Sequence, residues 1–375
     1  MNTIRFPGRL ALQQRVLPVD RVPFVNALAE RCDGGLSVFA GQPLADEQIK
    51  TSESLESASF VQTRNFHFMK ISSPIYSCWQ PGIVAWLEDW QPDVLIIEAN
   101  PRYTSTRKGI RWMHSIDRPV IGWGLGAPPL SGFLSGWRVS SRVRFIKSLD
   151  AIVAYSNKGA EEYKELSYPQ ERIYVAVNAV DKAPQKPPPN RPPEFDQSPV
   201  VLFLGRLQPR KRIDILIRAC ADLPESIQPN LYIVGEGPSR AEYEALAGRI
   251  YPKAKFPGAL FRDELEGYFN KTDLFVLPGT GGLAVQQAMS HGLPVIMAEG
   301  DGTQEDLVRD VNGWQVTPGD QNALTNAMNT ALSNPDQLRR MGMASYRIVL
   351  EEVNVDAMVD VFIEAIMSVH LVGIR

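Results

Sequence analysis

The sequence predicts an α/β protein of two Rossmann-like domains, each a parallel sheet covered on both faces, with the two domains facing a cleft. Three observations carry this. The chain has 375 residues, where one domain usually takes roughly 100–200. Short apolar runs without strict polar alternation recur along it, separated by helical patterns, as in buried βα units. Finally, seven prolines (Pro184, Pro187, Pro188, Pro189, Pro192, Pro193 and Pro199) crowd into one stretch. Proline fixes φ and lacks a backbone donor, so this stretch is neither helix nor central strand. It reads as a semi-rigid connector at 182–199. A first domain then spans 1–181, a second spans 200–350, and a C-terminal helix within 351–375 packs back on the first.

In the first domain, strands are expected at Arg15–Leu17, Leu36–Ala40, Val94–Glu98, Val120–Gly124, Ala151–Tyr155 and Ile173–Val177. Helices are expected at Val22–Arg31, Ile83–Trp90 and Lys158–Leu166. In the second, strands are expected at Val200–Leu204, Leu231–Val234, Leu274–Leu277 and Pro294–Met297. They alternate with helices at Ile213–Ala221, Arg240–Arg249, Ala284–His291 and Asn322–Leu332. Ligands of open α/β sheets bind beyond the carboxyl ends of the strands, so functional residues should follow strands.

Composition narrows the partners. Apolar residues are 44% of the chain, enough for two ordinary cores and unlike a disordered segment. A formal net charge of -3 excludes a globally basic nucleic-acid binder, so no nucleic acid is expected as a partner. Cys32, Cys78 and Cys220 are far apart, show no metal-ligand spacing and fit no disulfide framework, which points to a reducing cytoplasm. Arg5, Arg9 and Arg15 interrupt the amino terminus before an apolar signal core can form. No apolar run approaches the roughly 18 residues that span a bilayer, so a cytoplasmic protein, soluble or peripheral on the inner face of the membrane, is expected.

Two loops carry the chemistry. Gly205-Arg206-Leu207-Gln208-Pro209-Arg210-Lys211 directly follows the strand Val200–Leu204. The glycine permits a sharp turn, and Arg206 and Lys211 then project over the carboxyl edge of the sheet. Two cations there suit a diphosphate, although a solvated basic turn has the same composition. Pro278-Gly279-Thr280-Gly281-Gly282-Leu283-Ala284 joins the strand Leu274–Leu277 to a helix. Glycines before a helix let backbone amides approach an anion, and the helix dipole favours negative charge there. An ordinary βα turn is the alternative, but a cradle and a cationic pair at one sheet edge reinforce each other. It is not a Walker loop, since no Lys-Ser or Lys-Thr follows.

A third loop, Gly122-Trp123-Gly124-Leu125-Gly126-Ala127, matches G-x-G-x-x-A in form only. Pro128 and Pro129 follow it, and the acid expected about 20 residues later is missing, so a loop facing the cleft is the better reading. His67, His114, His291 and His370 form no pair at metal spacing, and His291 at a helix end reads as structural. No D-x-D triplet occurs, so no metal and no other cofactor is expected, and Arg206 and Lys211 must supply the compensating charge.

With these residues in hand, the second half resembles the donor-binding domain of glycosyltransferase family 4, whose members have the GT-B fold. GRLQPRK resembles the family's G-R-L-x-x-x-K, and Val234–Pro238 its V-G-x-G-P. Phe256–Pro278 follows its F-x-G, helix, acid, apolar strand and proline order, and Gly281–Ile296 its G-L-x-x-x-E-A-M-x-x-G-x-P-V-I. The first half is similar, less closely, at Arg21–Cys32, Pro92–Arg102 and Ile152–Asp181.

The resemblance implies retaining transfer from a UDP- or GDP-sugar to a glycan or lipid-linked acceptor, in polysaccharide or glycoconjugate biosynthesis. Arg206 and Lys211 would hold the donor diphosphate as the catalytic pair, with Gly205 at the turn. Gly279, Thr280, Gly281, Gly282, Leu283 and Ala284 would form the cradle, with backbone hydrogen bonds from the last three. Gly235, Gly237 and Gly258 would flank the base. Gly124, Leu125 and Gly126 would form the acceptor-side loop. That loop offers no histidine where some members carry one.

Two departures stand out. The family's E-x7-E glutamates fall here on Gly279 and Gln287, so the contact to the sugar hydroxyls is missing and the ribose contact is left to a glutamine. A nucleotide-sugar-binding protein without transferase activity, or an epimerase of the same fold, is the corresponding alternative. Arg102, Arg107, Lys108, Arg111, Arg118, Arg138, Arg142, Arg144 and Lys147 are accompanied by a single acid, Asp117, and interleaved with Trp112, Phe133, Trp137 and Phe145. Such a tract suits an anionic membrane surface, a soluble anionic glycan or simply a solvated face.

Overall fold

The computed structural model describes residues 4–373 except Gln48, Phe133, Asp196 and Phe261. The chain divides into two compact units, Met1–Lys182 with Val355–Arg375, and Ala183–Asn354.

The first unit runs β1 (Leu10–Val16), α1 (Val22–Glu30), β2 (Leu36–Gly41), β3 (Ser59–Gln62), β4 (Phe66–Phe68), β5 (Ser77–Trp79), α2 (Ile83–Trp90), β6 (Val94–Glu98), α3 (Thr106–Ser115), β7 (Val120–Gly124), α4 (Ser135–Ile146), β8 (Ala151–Ala154), α5 (Asn157–Glu165) and β9 (Ile173–Val175). Its seven-stranded sheet has the order β3-β2-β1-β6-β7-β8-β9, and every pairing in it is parallel. The strands read as unbroken apolar runs because successive side chains enter different cores. Leu10, Leu12, Val94 and Ile96 join one cluster with Phe24 and Leu28 of α1. Ala11, Leu95 and Ile97 join the other with Trp86, Met113, Phe145 and Tyr163 from α2 to α5. A side-chain period of two with both faces covered requires this.

β1 begins at Leu10 rather than at the expected Arg15. Gln13 and Gln14 give the stretch a polar look, yet both are buried. Gln80 satisfies them: its Nε2 donates to the Gln14 carbonyl at 3.0 Å and its Oε1 accepts from Gln13 at 2.6 Å.

The second unit runs β10 (Val200–Leu204), α6 (Ile213–Asp222), β11 (Asn230–Val234), α7 (Arg240–Ile250), β12 (Ala254–Gly258), α8 (Arg262–Lys271), β13 (Leu274–Leu277), α9 (Leu283–Ser290), β14 (Val295–Ala298), α10 (Thr303–Leu307), β15 (Gly313–Val316), α11 (Gln321–Leu332) and α12 (Pro335–Glu351). Its sheet is again parallel, in the order β12-β11-β10-β13-β14-β15. α13 (Val355–Gly373) then returns to the first unit, where Phe362 packs 4.8 Å from Phe24 and 5.0 Å from Trp123 between ring centroids.

The proline-rich stretch does not stand free as a connector. From Ala183 onward it belongs to the second unit. The Arg191 guanidinium donates to the carbonyls of Thr272 at 2.8 Å, His291 at 2.9 Å and Phe269 at 2.9 Å. Arg339 donates to the Pro192 carbonyl at 2.7 Å and the Tyr346 hydroxyl to that of Lys186 at 3.0 Å. Without a ladder of its own, the stretch is held through Arg191, which reaches out to those carbonyls, and through the carbonyls of Lys186 and Pro192, which accept from the second unit.

In both sheets the strand order reverses beside the first strand, between β1 and β6 and between β10 and β13. Loops leaving the carboxyl ends of such a pair diverge, and the crevice they leave is where α/β sheets bind ligands.

Candidate active site

The two loops singled out in the sequence leave β10 and β13, the pair at the switch point of the second sheet. Gly205 turns with φ 156°. Its amide donates to the Val234 carbonyl at 3.0 Å, and the Gly235 amide donates to Gly258 at 2.8 Å, so the turns after β10, β11 and β12 are tied in series. A Cβ on Gly235 would lie 2.0 Å from the Gly205 oxygen and one on Gly237 2.2 Å from the Leu207 oxygen. Only glycine permits that approach. Gly258 has φ 88° and borders Glu236.

Lys211 bridges the two loops. It is 9% exposed, and its Nζ donates to the Thr280 carbonyl at 2.5 Å. Arg210 adds a bond to Thr280 Oγ1 at 2.9 Å, and the Thr280 amide returns one to the Arg210 carbonyl at 3.2 Å. Any Cβ on Gly281 would fall 2.3 Å from Lys211 Nζ. The ammonium therefore lies against the glycine loop. Burial, and then the neighbouring Arg210, push its pKa down to about 8. A cation that has lost hydration without gaining a carboxylate is primed for an anionic ligand. Arg206 is exposed and makes no ion pair among the described residues.

α9 starts beyond this loop, with Gly282 as N-cap and no side-chain cap bond. The first amides of a helix lack intrahelical acceptors, so those of Leu283 and Ala284 remain available. Gln287 is half-buried, whereas Gln286 is 4% exposed and turned into the core. His291 stacks on Phe269 at 4.5 Å and its Nδ1 lies 2.8 Å from the Gln287 carbonyl, which is a structural role. At Gly279 a Cβ would meet the Arg210 oxygen at 2.3 Å and Lys211 backbone at 2.6 Å. This backbone has no room for the glutamate that the family pattern places there.

These features can be set beside known proteins. Residues 186–348 match the family model described as "Glycosyl transferases group 1". That match takes in nearly all of the second unit. The chain is 30% identical to the sulfoquinovosyl transferase SQD2 of Arabidopsis thaliana over 155 residues, 40% of this chain and 29% of that protein. It is 23% identical to the lipopolysaccharide core biosynthesis glycosyltransferase LpsE of Rhizobium meliloti (strain 1021) over 238 residues, 61% of this chain and 67% of that one. The fold is GT-B: a solved structure of Anabaena Alr3699/HepE in complex with UDP aligns with TM-score 0.70 at 19% identity, covering 96% of this chain and 99% of that one.

The first unit holds the third sequence loop. Leu125 is 46% exposed. The glycines beside it are there for packing: a Cβ on Gly124 would meet the Tyr163 hydroxyl at 2.4 Å, and one on Gly126 the Glu162 carboxylate at 2.3 Å. Sequence reasoning missed the residues at this sheet's own switch point. Arg15 forms a two-pronged pair with Glu47 at 2.7 and 2.9 Å, and its amide donates to Glu98 at 2.8 Å. Burial pushes the Glu98 carboxyl above its ordinary range, offset in part by that amide. Arg21 lies 4.4 Å from the Trp123 ring centroid. Position at the carboxyl ends of β1 and β6 was the available signal, hidden by the late start assigned to β1.

The aromatic set proposed for a membrane face is corrected. Phe145 is 1% exposed and belongs to the core, because it sits on the inward face of α4, and Trp112 is half-buried. Trp137 is 64% exposed, and Phe133 lies outside the described residues. Among the described residues no helix is long and apolar enough to cross a membrane.

Proposed function

We propose that this chain transfers a glycosyl group from a UDP- or GDP-sugar to a glycan or lipid-linked acceptor, with retention and without a divalent metal. The observation that carries the proposal is the Lys211 ammonium, buried with no carboxylate partner among the described residues, between two glycine loops at the switch point of the second sheet. In this reading the diphosphate lies over Gly281 and Gly282, with Lys211 and Arg206 on its oxygens and the Leu283 and Ala284 amides adding hydrogen bonds. Cleavage of the anomeric bond moves negative charge onto the diphosphate. Cations and amides already aimed there lower that barrier without reorganising. Gly235, Gly237 and Gly258 bring backbone close enough to bracket the base, and Gln287 takes the ribose. The relatives named for sulfoquinovosyl transfer and lipopolysaccharide core biosynthesis support a glycolipid or glycan acceptor. Retention rests on the family resemblance, and metal independence on the two cations.

The missing space for a carboxylate at Gly279 favours a second reading, a nucleotide-sugar binder without transfer. One experiment separates them. UDP, GDP, ADP and TDP are screened by thermal shift, where a ligand at a hundredfold excess over Kd adds roughly 2.7 kcal/mol. The matching nucleotide sugars are then incubated and free nucleoside diphosphate is measured. Stabilisation with slow release supports the transferase, and stabilisation without any release, with or without added acceptors, supports the binder. No stabilisation by any of the four nucleotides sinks both.

A further inference from the structure

A pocket of about 450 Å³ lies wholly within the first unit, away from the loops described above. Arg102 from the turn after β6, Arg107 from α3, and Arg138 and Arg142 one turn apart on α4 all line it. No Asp or Glu lines it, and none of the four arginines forms an ion pair with a described residue. Their partners are neutral. Arg107 donates to Ser141 Oγ at 3.1 Å and Arg142 to the Pro128 carbonyl at 2.6 Å. Arg102 lies 4.5 Å from the Tyr76 ring centroid, and its Nε is buried with no hydrogen-bond acceptor. The acid whose field reaches Arg142 is Glu162, whose carboxylate already accepts the Ala127 amide at 2.7 Å.

Burial above all, with neighbouring like charges adding to it, holds Arg102, Arg107 and Arg142 below the ordinary arginine range. Arg138 acts on both Arg102 and Arg142, while Arg144 and Arg111 act on Arg107. Half-buried cations that repel one another and leave a donor unpaired lower stability unless an anion joins them. The rim is apolar. Trp137 is 64% and Ile75 51% exposed, and both line the pocket. Arg102 also bonds the Ile71 carbonyl, which ties the pocket to the segment carrying exposed Phe66, Phe68 and Met69. Exposed apolar side chains at the rim of a cationic pocket match an amphiphile with an anionic head.

We infer that this pocket binds the phosphate or pyrophosphate group of a lipid, with Arg102, Arg107, Arg138 and Arg142 on the anion and Ile75 and Trp137 against its apolar chain. That the lipid is an acceptor rests on the transfer reaction proposed above; the binding itself does not.

The test uses the full chain and tryptophan fluorescence or calorimetry. The probes are dihexanoyl phosphatidic acid below its micelle point, dihexanoyl phosphatidylcholine and inorganic pyrophosphate. Phosphatidic acid should bind at least about tenfold more tightly than either, since one lacks net negative charge and the other the chain. Arg107→Gln and Arg142→Gln should each weaken phosphatidic acid by about tenfold or more. Trp137→Ala should weaken phosphatidic acid and leave pyrophosphate unchanged. Lys158→Gln, on the exposed side of α5, should change nothing.

All variants should keep a cooperative thermal transition, at or above the wild-type midpoint for the arginine variants, and the wild-type nucleoside diphosphate affinity, which shows that they fold. Three results overturn the inference: phosphatidic acid no better than phosphatidylcholine, wild-type affinity in both arginine variants, or pyrophosphate as tight as phosphatidic acid with Trp137→Ala silent. The last would make this a site for a soluble anion. A wild-type chain that binds no nucleoside diphosphate sinks the transferase instead and leaves the lipid result standing.

Discussion

Replacing Lys211 by methionine keeps the aliphatic stem that packs near Gly205 and removes only the ammonium. At pH 7 the loss is one charge-assisted contact to the diphosphate, about 1.5–3 kcal/mol, or roughly 10- to 150-fold in affinity for UDP or GDP. The pKa of about 8 adds a second signature. A lysine with that pKa is about 90% protonated at pH 7 and about 10% at pH 9. If only the charged form binds, apparent Kd scales inversely with that fraction and rises about tenfold across this interval.

The sign follows from the direction of the shift. Burial disfavours the charged form in the free protein, the diphosphate restores it, and binding takes up a proton. Uptake should be near half a proton at pH 8, read by calorimetry in buffers of different ionisation enthalpy. The diphosphate is already ionised above pH 7. Lys211→Met should therefore bind more weakly and show a flat profile from pH 7 to 9. Equal affinity of wild type and variant, or the same slope in both, would refute the placement of the diphosphate against Nζ.

Further outcomes concern the same unit. Gly279→Ala forces the turn off the Arg210 and Lys211 backbone and should cost about 1–3 kcal/mol in thermal or urea unfolding while weakening nucleoside diphosphate binding. Gly279→Glu should be at least as harmful and should not raise activity, although it restores the family's residue. Gln287→Ala should weaken UDP more than 2′-deoxy-UDP, and Gln287→Glu should gain on the order of 1 kcal/mol in ribonucleotide binding, both measured by calorimetry. Gln286→Ala should show as lost stability without discrimination between ribo and deoxy ligands, because that side chain is buried. Arg191→Ala strips donors from the carbonyls of Thr272, Phe269 and His291 and should lower stability by about 3 kcal/mol, roughly 6–12 °C in Tm. Arg191→Lys should rescue little, because a single ammonium cannot serve carbonyls in that spread.

The local code was legible where the elements are most apolar. β6, β7, β10, β13 and α2 have the bounds read from their residues, since a strand buried on both faces and a helix with one apolar stripe announce themselves. β1 was not, because its buried glutamines need Gln80, a partner 66 residues from Gln14. α3 and α4 were also missed: their arginines mask the buried Ile110, Met113, Phe145 and Ile146. The glycine loops were located correctly by sequence, but not why each glycine is there. Gly279 and Gly281 are set by Lys211 and Arg210, some 70 positions away, and Gly124 by Tyr163 on α5.

By itself the sequence determined the α/β class, the two parallel-sheet units and the two loops that resemble a nucleotide-sugar site, because these depend on periodicity and on residues adjacent in the chain. Tertiary structure alone decided what depends on distant partners. It brought Lys211 against Thr280, lowered its pKa by removing water, and closed Gly279 to any side chain. It turned the proline-rich stretch from a tether into part of the second unit through Arg191. It also sorted one basic tract into core and surface, with Phe145 inside, Trp137 outside and the charges of Arg102, Arg107, Arg138 and Arg142 gathered in a single pocket. Charge and burial act through space, and the linear order of residues does not carry those distances.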